Sequence, residues 1–167
     1  MNEKHFIYMT NFFRQSKIKT TVVKICSKLL PLLVIVIYFI SIFYLIINRD
    51  SRIILFILVP AIDFIFISLF RNYKNNTRPY DIYNFKPLIN FEHGKGKSFP
   101  SRHTASAFII AMACLYINSY LGIFTFILAF LIGISRIICG VHFPKDVISG
   151  MVISILFGYI CFFMWLT

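Results

Sequence analysis

The chain reads as an all-α integral membrane bundle of about five transmembrane helices, with a possible interfacial helix at its N-terminus. Three observations predict this. Of the 167 residues, 59% are hydrophobic and only 14% are charged, and mean hydropathy is +0.80, far too apolar for a soluble domain of this length. The apolar residues fall into runs close to the ~20 residues that a helix needs to cross a ~30 Å hydrocarbon core. The polar residues gather in the breaks between runs, with no internal repeat or low-complexity segment.

Residues 1–28 alternate Lys4, Arg14, Lys17, Lys19, Lys24 and Lys28 with His5, Phe6, Ile7, Tyr8, Phe12 and Phe13. This basic amphipathic pattern predicts an interfacial helix running into the membrane; a solvated basic tail is the competing reading. The first long apolar run starts too late and is too long for a clean signal peptide. Residues 29–167 form a single transmembrane domain on this reading. The first span is 29–47, with Pro31 in its first turn, where proline is tolerated. A polar turn at 48–52 leads to the second span, 53–70. Asp63 lies inside it. An acid there is costly and points to function by default, but no basic partner is near it in sequence, which favours a hydrogen-bonded or protonated packing residue.

Residues 71–103 make a long polar loop in which Gly94 and Gly96 mark special backbone points. Spans at 104–118 and 121–138 follow, joined by a tight turn at Asn118-Ser119-Tyr120. Gly140 ends the fourth span. Pro144 opens the fifth near its first helical position, and that span runs to about Leu166.

The net charge of +11 does not indicate nucleic acid, because the basic residues sit between apolar runs and cover no soluble surface. Anionic lipid head groups or an anionic substrate fit instead. Cys26, Cys114, Cys139 and Cys161 are scattered singly, which predicts free thiols. The histidines show no zinc-binding spacing.

Three polar islands stand out: Arg71 with Lys74, Arg78 and Pro79; Pro100-Ser101-Arg102-His103; and Ser135-Arg136 with His142 and Asp146. The first two share one loop. The helical hairpin of 104–138 leaves that membrane face and returns to it, so the third island lands beside them. Arginines can give paired hydrogen bonds to phosphate oxygens. Ser101 stands where a helix begins, a position suited either to anion binding or to plain N-capping. Asp146, in the first turn of a helix opened by Pro144, can orient one ring nitrogen of His142 and leave the other to attack. That is the base–orienter logic of a serine triad with histidine as nucleophile. His103 is suited to protonate a leaving oxygen.

These residues resemble the type 2 phosphatidic acid phosphatase family, the lipid phosphate phosphatase and vanadium haloperoxidase superfamily. Its signature is a lysine six residues before Arg-Pro, then Pro-Ser-Gly-His, then Ser-Arg, five residues, His, three residues, Asp. The third part is complete here as Ser135, Arg136, His142 and Asp146. The second carries Arg102 in place of glycine, and the first carries Arg71 in place of lysine. The resemblance covers residues 71 to 146. It implies that His142 forms a phosphohistidine, Asp146 orients it, and His103 is the general acid. Arg71, Arg78, Ser101, Arg102 and Arg136 would bind phosphate, without a metal or other cofactor. An arginine at 102 keeps the backbone donor of the glycine but would not suit a positive φ.

The expected function is hydrolysis of a lipid phosphomonoester or isoprenyl diphosphate, of the phosphatidic acid, phosphatidylglycerophosphate or undecaprenyl diphosphate class. The alternatives are a lipid phosphotransferase using the same histidine and a catalytically impaired lipid-phosphate-binding protein. The partners expected are the lipid phosphate and membrane lipids, with no nucleic acid. The positive-inside rule would put the basic tail and loop in the cytoplasm. The resemblance implies the opposite, a plasma-membrane protein with an extracytoplasmic site, and that is the orientation expected here.

Overall fold

The computed structural model of the chain describes residues 2–83, 85–89 and 96–164, and every regular element among them is helical. The order is α1 (Glu3–Arg14), α2 (Lys17–Ile47), α3 (Ile53–Lys74), α4 (Pro79–Ile82), α5 (Arg102–Ile117), α6 (Ser119–Ile138) and α7 (Pro144–Tyr159). A π-helical turn, Ile160–Met164, extends α7. Four of these segments are long and apolar enough to cross a membrane: α2, α3 with its continuation to Ile82, α6, and α7 with its π turn. The remaining helix, α5, is apolar but has only 16 residues, about 24 Å at 1.5 Å per residue. That is shorter than the ~30 Å hydrocarbon core.

The bundle is built around α5, which touches α2, α3, α6 and α7. Its alanines at 105, 107, 111 and 113 are buried and let the neighbouring helices approach closely. Phe56 and Val59 of α3, Leu128 and Ile132 of α6, and Phe162 of the π turn complete this core. Large side chains such as Phe39, Ile54, Phe66 and Phe130 point outward from the bundle, as lipid-facing residues should. A single residue, Asn118, joins α5 to α6, and its side chain caps α6 by accepting from Leu121 N–H at 2.9 Å.

The N-terminal region differs from the expectation in the bounds of its helices. Residues 1–28 are not one segment, because the helix breaks at Gln15–Ser16 and α2 is already helical from Lys17. The first span therefore begins well before residue 29. Its lysines can bury their stems and keep their ammonium groups in water, which hides the start of the helix in the sequence. α1 is also packed rather than a solvated tail. Phe6 is fully buried among the rings of Tyr83, Phe85 and Phe143, at centroid distances of 6.0, 5.8 and 5.5 Å.

Pro31 is a further correction, since it lies in the interior of α2 and not in its first turn. A proline cannot donate to the carbonyl four residues back, so the carbonyl of Ser27 is left without its helical partner. Pro60 does the same to Phe56 in α3, and there the hydroxyl of Tyr38 on α2 donates to the orphaned carbonyl at 3.2 Å. Each proline thus opens an acceptor to a neighbouring helix.

Asp63 is buried, and its Oδ2 accepts from the Ser154 hydroxyl of α7 at 2.9 Å. It is a hydrogen-bonded packing residue between α3 and α7. The expected end of the last span at Leu166, and Gly94 of the polar loop, lie outside the described residues.

Candidate active site

The site is assembled from helix ends. Arg71 occupies the last turn of α3 and Arg136 the last turn of α6, where the helix dipole favours a cation. Ser101 and Asp146 lie at the starts of α5 and α7, where the dipole favours an anion. Gly140 takes φ +74° in the turn between α6 and α7, a conformation that a side chain would strain. The backbones of α5 and α7 then meet almost directly. The Ser101 N–H donates to the Asp146 carbonyl at 2.9 Å, and a Cβ on Gly150 would fall 2.8 Å from the Ser101 carbonyl oxygen. Only glycine permits that approach.

Three guanidinium groups are buried here: Arg71, Arg78 and Arg136. Each is held by main-chain carbonyls. Arg71 Nη2 donates to Lys97 O. Arg78 Nε donates to Gly96 O at 3.1 Å and its Nη1 to Val141 O at 3.3 Å. Arg136 Nη2 donates to Ser27 O at 2.6 Å, the carbonyl that Pro31 leaves open. The Nε of Arg136 is buried with no acceptor among the described residues. Lys74, the other cation of the first island, is exposed. Arg71 is therefore the residue that stands in the position of the family lysine.

His142 is buried, with Nδ1 facing Asp146 Oδ2 at 3.6 Å. That distance is too long for a hydrogen bond. Ser98 lies between the two groups. Its hydroxyl donates to Asp146 Oδ2 at 2.5 Å, and its oxygen is 3.4 Å from His142 Nδ1. Asp146 Oδ2 also accepts from Phe143 N–H at 3.0 Å, which fixes the carboxylate at the start of α7. Because Nδ1 faces this pair, Nε2 is the ring nitrogen turned away from it.

Ser101 is buried and makes no side-chain cap bond; its Oγ accepts from Thr104 Oγ1 at 2.9 Å. The plain N-capping reading therefore does not describe it, and its own hydrogen has no acceptor among the described residues. His103 is half-buried on the first turn of α5, within electrostatic reach of Arg136 and His142. Arg102 has an ordinary helical backbone, with no positive φ. Its guanidinium lies over the Phe64 ring, 5.4 Å from the centroid, within electrostatic reach of Arg71 and Arg78. A cavity of about 540 Å³ reaches Asp146 past Thr77, Tyr83 and Phe143.

The three sequence islands thus converge, apart from the exposed Lys74. Ser98, Thr104 and the Ser27 carbonyl are additions that the sequence reading missed. Ser98 could have been suspected as a small hydroxyl residue just before the second island. A backbone carbonyl carries no sequence signal, although Pro31 four residues on could have flagged Ser27.

Fold and site together define an integral membrane protein of helices with a buried cationic site at one end of its bundle. The chain belongs to the PAP2 superfamily, whose sequence profile matches residues 52–167. Undecaprenyl-diphosphatase BcrC of Bacillus subtilis is 38% identical over 85 residues, 51% of this chain and 43% of the relative. Lipid A 4'-phosphatase of Bacteroides thetaiotaomicron is 33% identical over 79 residues, 46% and 35% respectively. The chain therefore spans less than half the length of these curated relatives. The crystal structure of Aquifex aeolicus LpxE superposes with a TM-score of 0.73 at 27% identity, over 96% of this chain and 93% of that one. A transmembrane PAP2-type phosphatidylglycerolphosphate phosphatase from Bacillus subtilis shares the fold, with a TM-score of 0.70 at 23% identity over 95% and 81%.

Burial lowers the pKa of His142 from its ordinary 6.5 to about 4, against the opposing pull of Asp146. The imidazole is therefore neutral at pH 7. A folded value below the unfolded one means that stability is fully present above pH 6.5 and is lost as pH falls toward 4. The loss attributable to His142 should be on the order of 3 kcal/mol. Thermal unfolding of phosphate-free protein in detergent should show a steeper decline between pH 6.5 and 4 in wild type than in His142→Gln.

Proposed function

We propose that this protein is a membrane lipid phosphatase that hydrolyses a lipid phosphomonoester or isoprenyl diphosphate through a phosphohistidine. The observation that carries the reading is the charge imbalance of the site. Three guanidinium groups are buried around His142, and Asp146 is the carboxylate that the described residues place among them. Buried charge of one sign needs a partner, and a phosphate group supplies it with the oxygen geometry that arginine forks match.

On this reading Arg71, Arg78, Arg136 and the Ser101 hydroxyl hold the phosphoryl oxygens. Neutral His142 attacks phosphorus through Nε2. The Nε2–P bond forms as the P–O bond to the lipid breaks, and His103 gives its proton to the leaving oxygen. Water then attacks the phosphohistidine, His103 takes back a proton, and inorganic phosphate leaves. Asp146 orients His142 with Ser98 as an intermediary: the Ser98 oxygen accepts from Nδ1–H while its hydrogen is donated to the carboxylate. Guanidinium groups and two helix N-termini provide the positive potential, so the reaction uses no metal and no cofactor. The catalytic unit on this reading includes α2 from Lys17, whose Ser27 carbonyl holds Arg136, and α1 covers it through Phe6. The protein sits in the plasma membrane with the site on the extracytoplasmic face. Arg71 and Arg78 are ligands buried in that site, and so drop out of the positive-inside count.

Phosphate release from phosphatidic acid, phosphatidylglycerophosphate and undecaprenyl diphosphate tests the reading with purified protein in detergent. Turnover of at least one should persist in chelator and fall by about 1,000-fold or more in His142→Ala. Turnover that His142→Ala leaves intact would exclude the mechanism. Pro31→Ala gives a second test. It should raise the unfolding temperature, because proline costs about 3 kcal/mol inside a helix. It should also weaken product inhibition by phosphate, because the new N–H competes with Arg136 for the Ser27 carbonyl.

A further inference from the structure

We propose that Arg102 fits this site to lipid diphosphates by holding the lipid-linked phosphate, while the three buried arginines hold the phosphate being transferred. The inference rests on the lipid-phosphatase reading and names its substrate class. It begins with a cavity of about 220 Å³ between α2, α3, α5 and α6. Val34, Ile35, Phe64, Ile110 and Ile132 give it an apolar wall, whereas Arg102 and His103 bring charge and hydrogen-bonding groups to it. Ile35 and Phe64 are also exposed on the outer surface of the bundle, so the cavity communicates with the lipid. An apolar chain ending in an anion matches this distribution, and an isoprenyl chain bearing a diphosphate is such a molecule.

Arg102 differs from the other arginines in a way that suits the second phosphate. Arg71, Arg78 and Arg136 are buried and fixed by carbonyls of Lys97, Gly96, Val141 and Ser27. Arg102 is exposed and has no hydrogen bond or ion pair among the described residues; only the face of Phe64 holds it. A cation–π contact at an exposed site is weak, so the guanidinium can move to an anion at low cost. Its backbone position is fixed between Ser101, at the phosphate site, and His103, on the cavity wall. That places the side chain where the transferred phosphate ends and the lipid begins.

The two substrate types make different demands there. A phosphomonoester leaves as an alkoxide and needs the proton of His103. In a diphosphate, His142 Nε2 bonds to the terminal phosphorus as the bridging P–O bond breaks, and the electron pair stays on the lipid monophosphate. The added negative charge develops on that phosphate, beside Arg102. A guanidinium there stabilises the transition state for diphosphate hydrolysis selectively.

The test compares geranylgeranyl diphosphate with geranylgeranyl phosphate, so that the chain is constant. The readout is the ratio of kcat/KM for the two substrates, taken within each purified full-length variant, which cancels any loss of folded protein. The ratio should fall on the order of tenfold or more in Arg102→Gly and Arg102→Gln, as expected for loss of a charge-assisted hydrogen bond. Arg102→Lys should recover part of it. Wild-type turnover of both substrates with an unchanged ratio in the variants would overturn the role of Arg102 and leave the phosphatase reading standing. No phosphate release from either substrate, or from the glycerolipid phosphates, would overturn both.

Discussion

Three guanidinium groups buried in one site constrain the rest of the molecule. Each would cost several kcal/mol to desolvate without partners, and carboxylate partners would fill the site with the wrong charge for an anionic ligand. The fold answers with main-chain carbonyls. Lys97, Gly96, Val141 and Ser27 each turn a carbonyl oxygen to an arginine, which orients the cation without neutralising it. A regular helix has no carbonyls to give, since its own N–H groups take them. The acceptors therefore come from the irregular segments around 96–98 and 139–143, together with the one helical carbonyl that a proline releases.

The helix ends follow from the same constraint. Arg71 and Arg136 stand at C-termini, where the dipole lowers the cost of a cation, while Ser101 and Asp146 stand at N-termini, where N–H groups face the anion. The starts of α5 and α7 meet the ends of α3 and α6 there. Gly150 and the Ser101–Asp146 backbone bond close that junction. α1 lies over it through Phe6, whose ring contacts Phe143, the residue next to His142.

Much of this was legible in the sequence because it depends on counting. Apolar runs of membrane length gave the helices, and the parity of spans put three islands on one face. The match to the family signature assigned His142, Asp146 and the arginines before any coordinates. What was hidden has a common physical cause. Partners supplied by the backbone, such as the Ser27 carbonyl, have no residue signature. Ser98 and Ser154 are ordinary serines until the fold brings them to carboxylates 48 and 91 residues away. The start of α2 was obscured because lysines can continue an apolar helix while reaching water. The replacement of glycine by Arg102 raised the question of a positive φ; the residue has an unstrained helical backbone and a place on an apolar cavity.

The central claim is that the buried arginine cluster is a phosphate site. The most direct measurement is the unfolding temperature of purified protein in detergent as inorganic phosphate is raised at constant ionic strength, with chloride as the balancing anion. A ligand that binds only the folded state stabilises it in proportion to the logarithm of its concentration above Kd. The account predicts such a rise in wild type and its loss in Arg136→Gln. An unfolding temperature indifferent to phosphate, or a rise that Arg136→Gln retains in full, would contradict it.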